Sequence, residues 1–322
     1  MKNSQNTTIF FIELIKLMRP IHWIKNFSIF AALIFSGNLF ISQMFNKVLI
    51  AFFSFCFASS ATYVFNDIFD AKLDRLHPIK RRRPIASGKI NTATASVIII
   101  ILTSISLFLA QKLNTLFLFT LVSYLSIQAT YSMGLKNFYV VDILIIASGF
   151  ILRVYAGAFV INSHLSVWFL LCVISVALFL AAGKRRAEQG TIPQGNTRVS
   201  LTKYKRELLN SYVTMFGNAA WMSWSLFTFF ESPPPNLPVW LFLAEISRTT
   251  TISKLLMLTI PVVIFGIMRY ESLIFEDRSE SPESLLLKDR ALVFSVLLWV
   301  FMIVTILYGS TSLNFFQNFR TS

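Results

Sequence analysis

Runs of about 18 or more largely apolar residues, the length an α-helix needs to cross a hydrocarbon core of ~30 Å, recur from one end of this chain to the other. They lie near 27–45, 48–65, 92–110, 115–133, 138–161, 165–183, 208–230, 252–268 and 291–312, and predict an all-α integral membrane protein of about nine transmembrane helices. Composition agrees with that reading. A mean hydropathy of +0.64 with only 14% charged residues over 322 positions is more apolar than a water-soluble domain of this size carries. The first run follows 26 residues and precedes no small-residue cleavage pattern, so it is expected to stay in the mature chain rather than act as a signal peptide.

Net charge is +14, and where the cations lie decides what that means. Of 29 Lys and Arg, 23 lie in the N-terminal segment or in the connections after runs two, four, six and eight. Only Lys47, Lys112, Arg248, Lys254 and Arg320 fall on the other side, and Arg153 lies within a run. The positive-inside rule makes the basic side cytoplasmic, in a cell (inner) membrane, with the N-terminus inside and the C-terminus outside. All the acidic residues except Glu231 and Glu245 share that side. A face with many cations and clustered carboxylates suits a metal-bound polyanion and a bilayer, not a nucleic acid. The outer connections, such as Pro233-Pro234-Pro235, carry no comparable chemistry. Cys56 and Cys172 sit in separate apolar runs and suggest neither a disulfide framework nor metal spacing.

The most informative stretch begins at the end of run two: Asn66-Asp67-Ile68-Phe69-Asp70-Ala71-Lys72-Leu73-Asp74-Arg75, then His77-Pro78-Ile79-Lys80-Arg81-Arg82-Arg83-Pro84. If the helix continues past the membrane boundary, Asp67, Asp70 and Asp74 share one face. Like charges so close call for a cation, and Mg²⁺ takes such oxygen ligands while bridging to phosphates. Lys80, Arg82 and Arg83 are placed to add charge against a leaving diphosphate. His77, beside a proline, reads as a loop residue. Arg153 and Asp142, on run five, stand about three turns apart and cannot pair directly, so each is expected to meet substrate or another helix. Tyr131 and Lys136 end run four on the same side.

These residues resemble the UbiA-type polyprenyl transferases, whose first aspartate-rich motif matches Asn66 to Asp74 followed by Arg83-Pro84 and Gly88. The likeness is greatest to the branch that acts on decaprenyl phosphate as a phosphoribosyltransferase. That branch shares Arg19-Pro20 with Trp23-Ile24-Lys25-Asn26, Tyr131-Ser132 with Leu135-Lys136, and Asp142 with Ser148-Gly149-Phe150 and Arg153. It also shares Ala182-Gly183-Lys184-Arg185 with Glu188, and Pro282-Glu283 with Leu286-Leu287 and Asp289-Arg290. The resemblance spans about residues 17–312 and implies one transmembrane catalytic domain over 1–322, with residues 1–16 a flexible cytoplasmic N-terminus. It implies a Mg²⁺-dependent enzyme that moves 5-phosphoribosyl from phosphoribosyl pyrophosphate to a polyprenyl phosphate, releases pyrophosphate, and is free to form an oligomer.

In that reading Asn66, Asp67, Asp70 and Asp74 hold the metal. Lys25, Lys80, Arg82, Arg83, Tyr131, Lys136, Asp142, Arg153, Lys184, Arg185 and Glu188 join Asn66 in binding substrates. One departure from the wider family bears on the donor: where a second aspartate-rich motif is usual, this chain has Gly183-Lys184-Arg185-Arg186-Ala187-Glu188, whose cations suit phosphates bound directly. A prenyl diphosphate donor with an aromatic acceptor is the rival chemistry. A transporter, the rival of another class, predicts charged groups near the midplane reachable from both sides, which this charge distribution does not give. The connection holding Arg269, Tyr270, Pro282, Glu283, Lys288, Asp289 and Arg290 is expected to be structural or a lid.

Overall fold

In lipid, backbone N–H and C=O groups must be satisfied within the segment, so the apolar runs fold as helices. The computed structural model describes residues 2–191, 203–231, 250–276, 285 and 287–320, and all regular structure among them is helical. The first elements are α1 (Lys2–Met18), a 3-10 segment (Pro20–Phe30), α2 (Ala31–Phe35) and α3 (Ser42–Leu76). A short 3-10 turn (Lys80–Arg82) leads to α4 (Thr92–Gln111) and α5 (Thr115–Met133), and another (Leu135–Asn137) leads to α6 (Val141–Val160). Then come α7 (Val167–Thr191), α8 (Arg206–Phe230), a 3-10 stretch (Thr250–Thr259) running into α9 (Ile260–Phe275), and α10 (Arg290–Arg320). The predicted Pro233-Pro234-Pro235, Pro282-Glu283, Leu286 and Arg248 lie outside the described residues.

Seven of these helices are long and apolar enough to cross a membrane: α3 to α7, the stretch Lys254–Phe275, and α10. The other two expected spans take different forms. Run one is broken, because the 3-10 segment and the five-residue α2 end at a turn where Gly37 takes φ 78°, a conformation a side chain disfavours. Run seven is the 25-residue α8, long enough to cross but made less apolar by Asn210, Ser211, Asn218 and Ser223. Turn chemistry sets several ends. The side chains of Asn91 and Asn114 cap α4 and α5 by accepting from Thr94 N and Phe117 N at 2.7 and 2.8 Å.

The chain divides into two compact units. The first comprises residues 1–31, 46–162 and 192–205. In it α6 packs on α5 and on the 3-10 segment, so closely that a β-carbon on Gly157 would overlap the Ile29 carbonyl. Ser54 and Ser106 exchange hydroxyl-to-carbonyl bonds of 2.9 and 2.8 Å between α3 and α4, the small-residue contact that lets membrane helices approach. Leu17 of α1 is buried with Val64, Ile85, Ile90 and Ala95. The second unit comprises residues 32–45, 163–191 and 206–322. Here α7 lies along α8, and Phe179, Ala182, Val213, Tyr270, Leu273, Ile274, Leu285 and Leu292 form its core. Phe119, Phe301 and Val167 stay exposed at 72%, 67% and 76%, the lipid-facing surface that a bundle in a bilayer requires.

Candidate active site

Helix α3 runs unbroken from its apolar part to Leu76, so the three- and four-residue spacings bring Asp67, Asp70 and Asp74 onto one face, where they are only 2%, 6% and 5% exposed. Three buried carboxylates side by side need cations, and three elements of the first unit supply them. Arg19 Nη2 meets Asp67 Oδ1 and Oδ2 at 2.5 and 2.7 Å. Arg83 Nη1 bonds Asp74 at 2.6 Å and reaches Asp67 at 3.2 Å. Lys136 Nζ bonds Asp70 at 2.5 Å and Asn66 Oδ1 at 3.3 Å, while Asn66 Nδ2 donates to the other Asp70 oxygen at 2.9 Å.

Local structure delivers each cation. Arg19 sits at the joint between α1 and the 3-10 segment with φ 52° and ψ 59°, its guanidinium 5.4 Å from the Tyr63 ring. Arg83 follows the Lys80–Arg82 turn, which His77 braces by accepting from Ile79 N and Lys80 N at 3.2 and 3.3 Å through Nδ1. His77 is thus a turn residue, as its proline neighbour suggested. Lys136 lies on the turn after α5 and is itself buried.

The remaining predicted residues of this unit separate. Arg82 is exposed and Lys80 half-buried on their turn, and Tyr131 is buried at the end of α5. Lys25 Nζ lies 5.9 Å from the Phe150 ring. Arg153 is 4% exposed and bonds Asn26 Oδ1 at 2.7 Å, Gly149 O at 2.5 Å and Tyr124 OH at 3.0 Å, all neutral groups. Asn26 continues that network to Cys56 Sγ and Ser59 Oγ of α3. Asp142 is fully buried and accepts from Tyr204 OH at 2.7 Å, and the same hydroxyl accepts from Val140 N at 2.9 Å. Arg153 and Asp142 therefore meet different partners, as their spacing required. Sequence reasoning did not place Arg19 on Asp67 or Asn26 on Arg153, although both stand in motifs it singled out, and Tyr204 carried no signal.

In the second unit, Arg185 is fully buried and paired with Glu188 one turn on, Lys184 is half-buried, and Arg186 Nε bonds Asn210 Oδ1 at 2.6 Å. A β-carbon on Gly183 beside them would stand 2.8 Å from Ile274 Cδ1 and 2.9 Å from Tyr270 OH, so those side-chain ends would have to shift. Arg269 and Asp289 join with two contacts of 3.1 and 2.6 Å. The Arg269 guanidinium, with the Leu292 amide, holds the Asp289 carboxyl below the usual carboxylate range. This ion pair ties α9 to the residue that precedes α10.

The donors on α3 suit a hard divalent cation in kind: carboxylates of Asp67, Asp70 and Asp74 and the amide oxygen of Asn66, on one face. Among the described residues, however, no three His, Cys, Asp or Glu side chains form a group ready to hold a metal ion. Each carboxylate is turned to an arginine or lysine instead.

Comparison with known proteins follows the same lines. The chain is 33% identical over 303 residues to decaprenyl-phosphate phosphoribosyltransferase of Mycolicibacterium smegmatis, covering 92% of this chain and 93% of that one. It is 32% identical over 301 residues to the enzyme of that name from Corynebacterium glutamicum, covering 92% and 86%. Among solved structures, a UbiA homolog from Archaeoglobus fulgidus bound to GPP and Mg²⁺ has the same fold, with a TM-score of 0.63 over 91% of this chain and 97% of that one at 16% identity. The profile of the UbiA prenyltransferase family matches residues 26–189, from the 3-10 segment through α3 and its aspartates to Glu188 and Gln189. This multi-pass membrane protein belongs to the UbiA prenyltransferase family.

Proposed function

We propose that this protein transfers a 5-phosphoribosyl group from phosphoribosyl pyrophosphate to a polyprenyl phosphate of decaprenyl type, releasing pyrophosphate, with Mg²⁺ at the cytoplasmic face of the cell membrane. The observation that carries this is the α3 face itself, where three buried aspartates are ringed by Arg19, Arg83 and Lys136. Such a face handles a diphosphate from both sides, metal-binding carboxylates beneath and cations around. Identity along nine-tenths of the chain to proteins named for phosphoribosyl transfer supports the choice of donor and acceptor.

In this reading an oxygen of the lipid phosphate attacks C1 of the ribose. The C1–O bond to diphosphate breaks, and pyrophosphate leaves with the electron pair. Asn66, Asp67, Asp70 and Asp74 would hold the Mg²⁺, whose chemistry there would be Lewis-acid neutralisation of the leaving diphosphate. Arg83 and Lys136, already at the aspartates, offer their remaining N–H donors to the diphosphate, and Lys80 and Arg82 line its approach. Lys25, Lys184 and Arg185 are assigned to the other phosphates. The acceptor is an anion at neutral pH, so positioning and charge stabilisation suffice without a strong general base.

Pyrophosphate release tests the reading. With purified protein it is expected to require both phosphoribosyl pyrophosphate and polyprenyl phosphate and to stop on chelation. Release without a lipid acceptor, or none with both substrates, contradicts it.

A further inference from the structure

We infer that Arg19 is a displaceable internal counter-ion, which holds Asp67 until a divalent cation takes its place and then turns toward the phosphates that arrive with it. The inference rests on the reading that Asp67 is a metal ligand. A single nitrogen, Nη2, lies 2.5 and 2.7 Å from the two oxygens of Asp67. That is the position of a cation bound by both oxygens of one carboxylate. Arg83 and Lys136 are anchored otherwise: Arg83 keeps Asp74 at 2.6 Å if its 3.2 Å contact to Asp67 is lost, and Lys136 holds Asp70. Asp67 is 2% exposed, whereas Arg19 is 19% exposed.

The backbone is poised for such a change. Arg19 occupies the left-handed region at φ 52°, which an arginine adopts only when its surroundings hold it there. Helix α1 need not move, because Leu17 is buried beside Val64 and Ile85, and Met18 O accepts from Ser60 Oγ at 2.8 Å. In the same conformation that holds Asp67, the guanidinium also lies over the Tyr63 ring, 5.4 Å from its centroid.

Mn²⁺ binding to full-length protein in detergent, read from loss of the free-ion paramagnetic resonance signal with no substrate present, tests this. Arg19→Gln is expected to tighten Mn²⁺ about tenfold, the size of one removed competitor of roughly 1.4 kcal/mol. Arg19→Lys, which keeps the charge but loses the fork, is expected to tighten it less, by about threefold, and informs the test even if the glutamine variant does not fold. In an Asp67→Asn background Arg19→Gln is expected to change nothing further. Unchanged or weaker Mn²⁺ binding in both Arg19 variants, with binding still sensitive to Asp67→Asn, overturns the counter-ion role and leaves the metal reading standing. No saturable binding in wild type or variants removes both.

Discussion

Asp67 touches two arginines that come from elements 48 and 16 residues away, and this makes it the side chain on which the site turns. Asp67→Asn keeps the shape while removing the charge and turning one of the two acceptor oxygens into a donor amide, and is expected to lower metal-dependent turnover by about a hundredfold or more with the protein still folded in detergent. Unchanged activity would exclude Asp67 as a metal ligand. Arg153 belongs to a different class of residue. Its partners Asn26, Gly149 and Tyr124 are neutral, so Tyr124→Phe removes the hydrogen bond to Arg153 and is expected to cost about 1 kcal/mol, visible as a lower unfolding temperature without loss of metal binding. At this scale the aspartate triplet was fully legible, because helical spacing alone predicts a shared face. Its cations were less so: Arg83 and Lys136 were placed near phosphate, but their bonds to Asp74 and Asp70 depend on turns that no periodicity encodes.

Among elements, α3 was read well and the start of the chain was not. The apolar pattern of α3 passes into a polar, helix-compatible stretch with no Gly or Pro before Pro78, so continuation to Leu76 followed from local propensity. The run at 27–45 satisfied length and hydropathy, yet Gly37 and the 3-10 geometry after Pro20 divide it, and length counts are blind to such breaks. What this broken element offers is close approach: the 3-10 segment lies against α6 at Gly157. Gly157→Ala is expected to force the two apart at a cost of about 1–3 kcal/mol, measured as a fall in thermal stability. No change would mean the contact at Ile29 is loose. Helix α1 is tied down by Glu13, which accepts from Lys89 at 2.8 Å and Lys16 at 2.9 Å. The Lys89 ammonium holds the Glu13 carboxyl below the usual glutamate range. A depressed folded-state value means that this attachment is fully present above about pH 4.3 and is lost as pH falls through the lower value. Glu13→Gln is expected to flatten the acid side of a stability profile below about pH 4.3, and an unchanged profile would remove Glu13 from the account.

For the whole molecule, the helical membrane class and the basic face came from residue counts, because bilayer thickness and charge bias act on composition over long stretches. Family membership required the motifs, and two of the relatives carry the name decaprenyl-phosphate phosphoribosyltransferase. The sequence separated the two main cation groups along the chain, and they fall in different units, Lys136 and Arg83 in one, Lys184 and Arg185 in the other. Phosphoribosyl transfer to a lipid phosphate is the proposal on which the rest depends. Its most direct test offers the purified protein two donors at once, ribose-labelled phosphoribosyl pyrophosphate and an unlabelled prenyl diphosphate, with a polyprenyl phosphate and Mg²⁺, and analyses the butanol-extracted lipid. Labelled lipid carrying one phosphoribose, absent when a chelator is added, is the predicted result. Unlabelled lipid together with consumption of the prenyl diphosphate would contradict the account and move the protein to prenyl transfer.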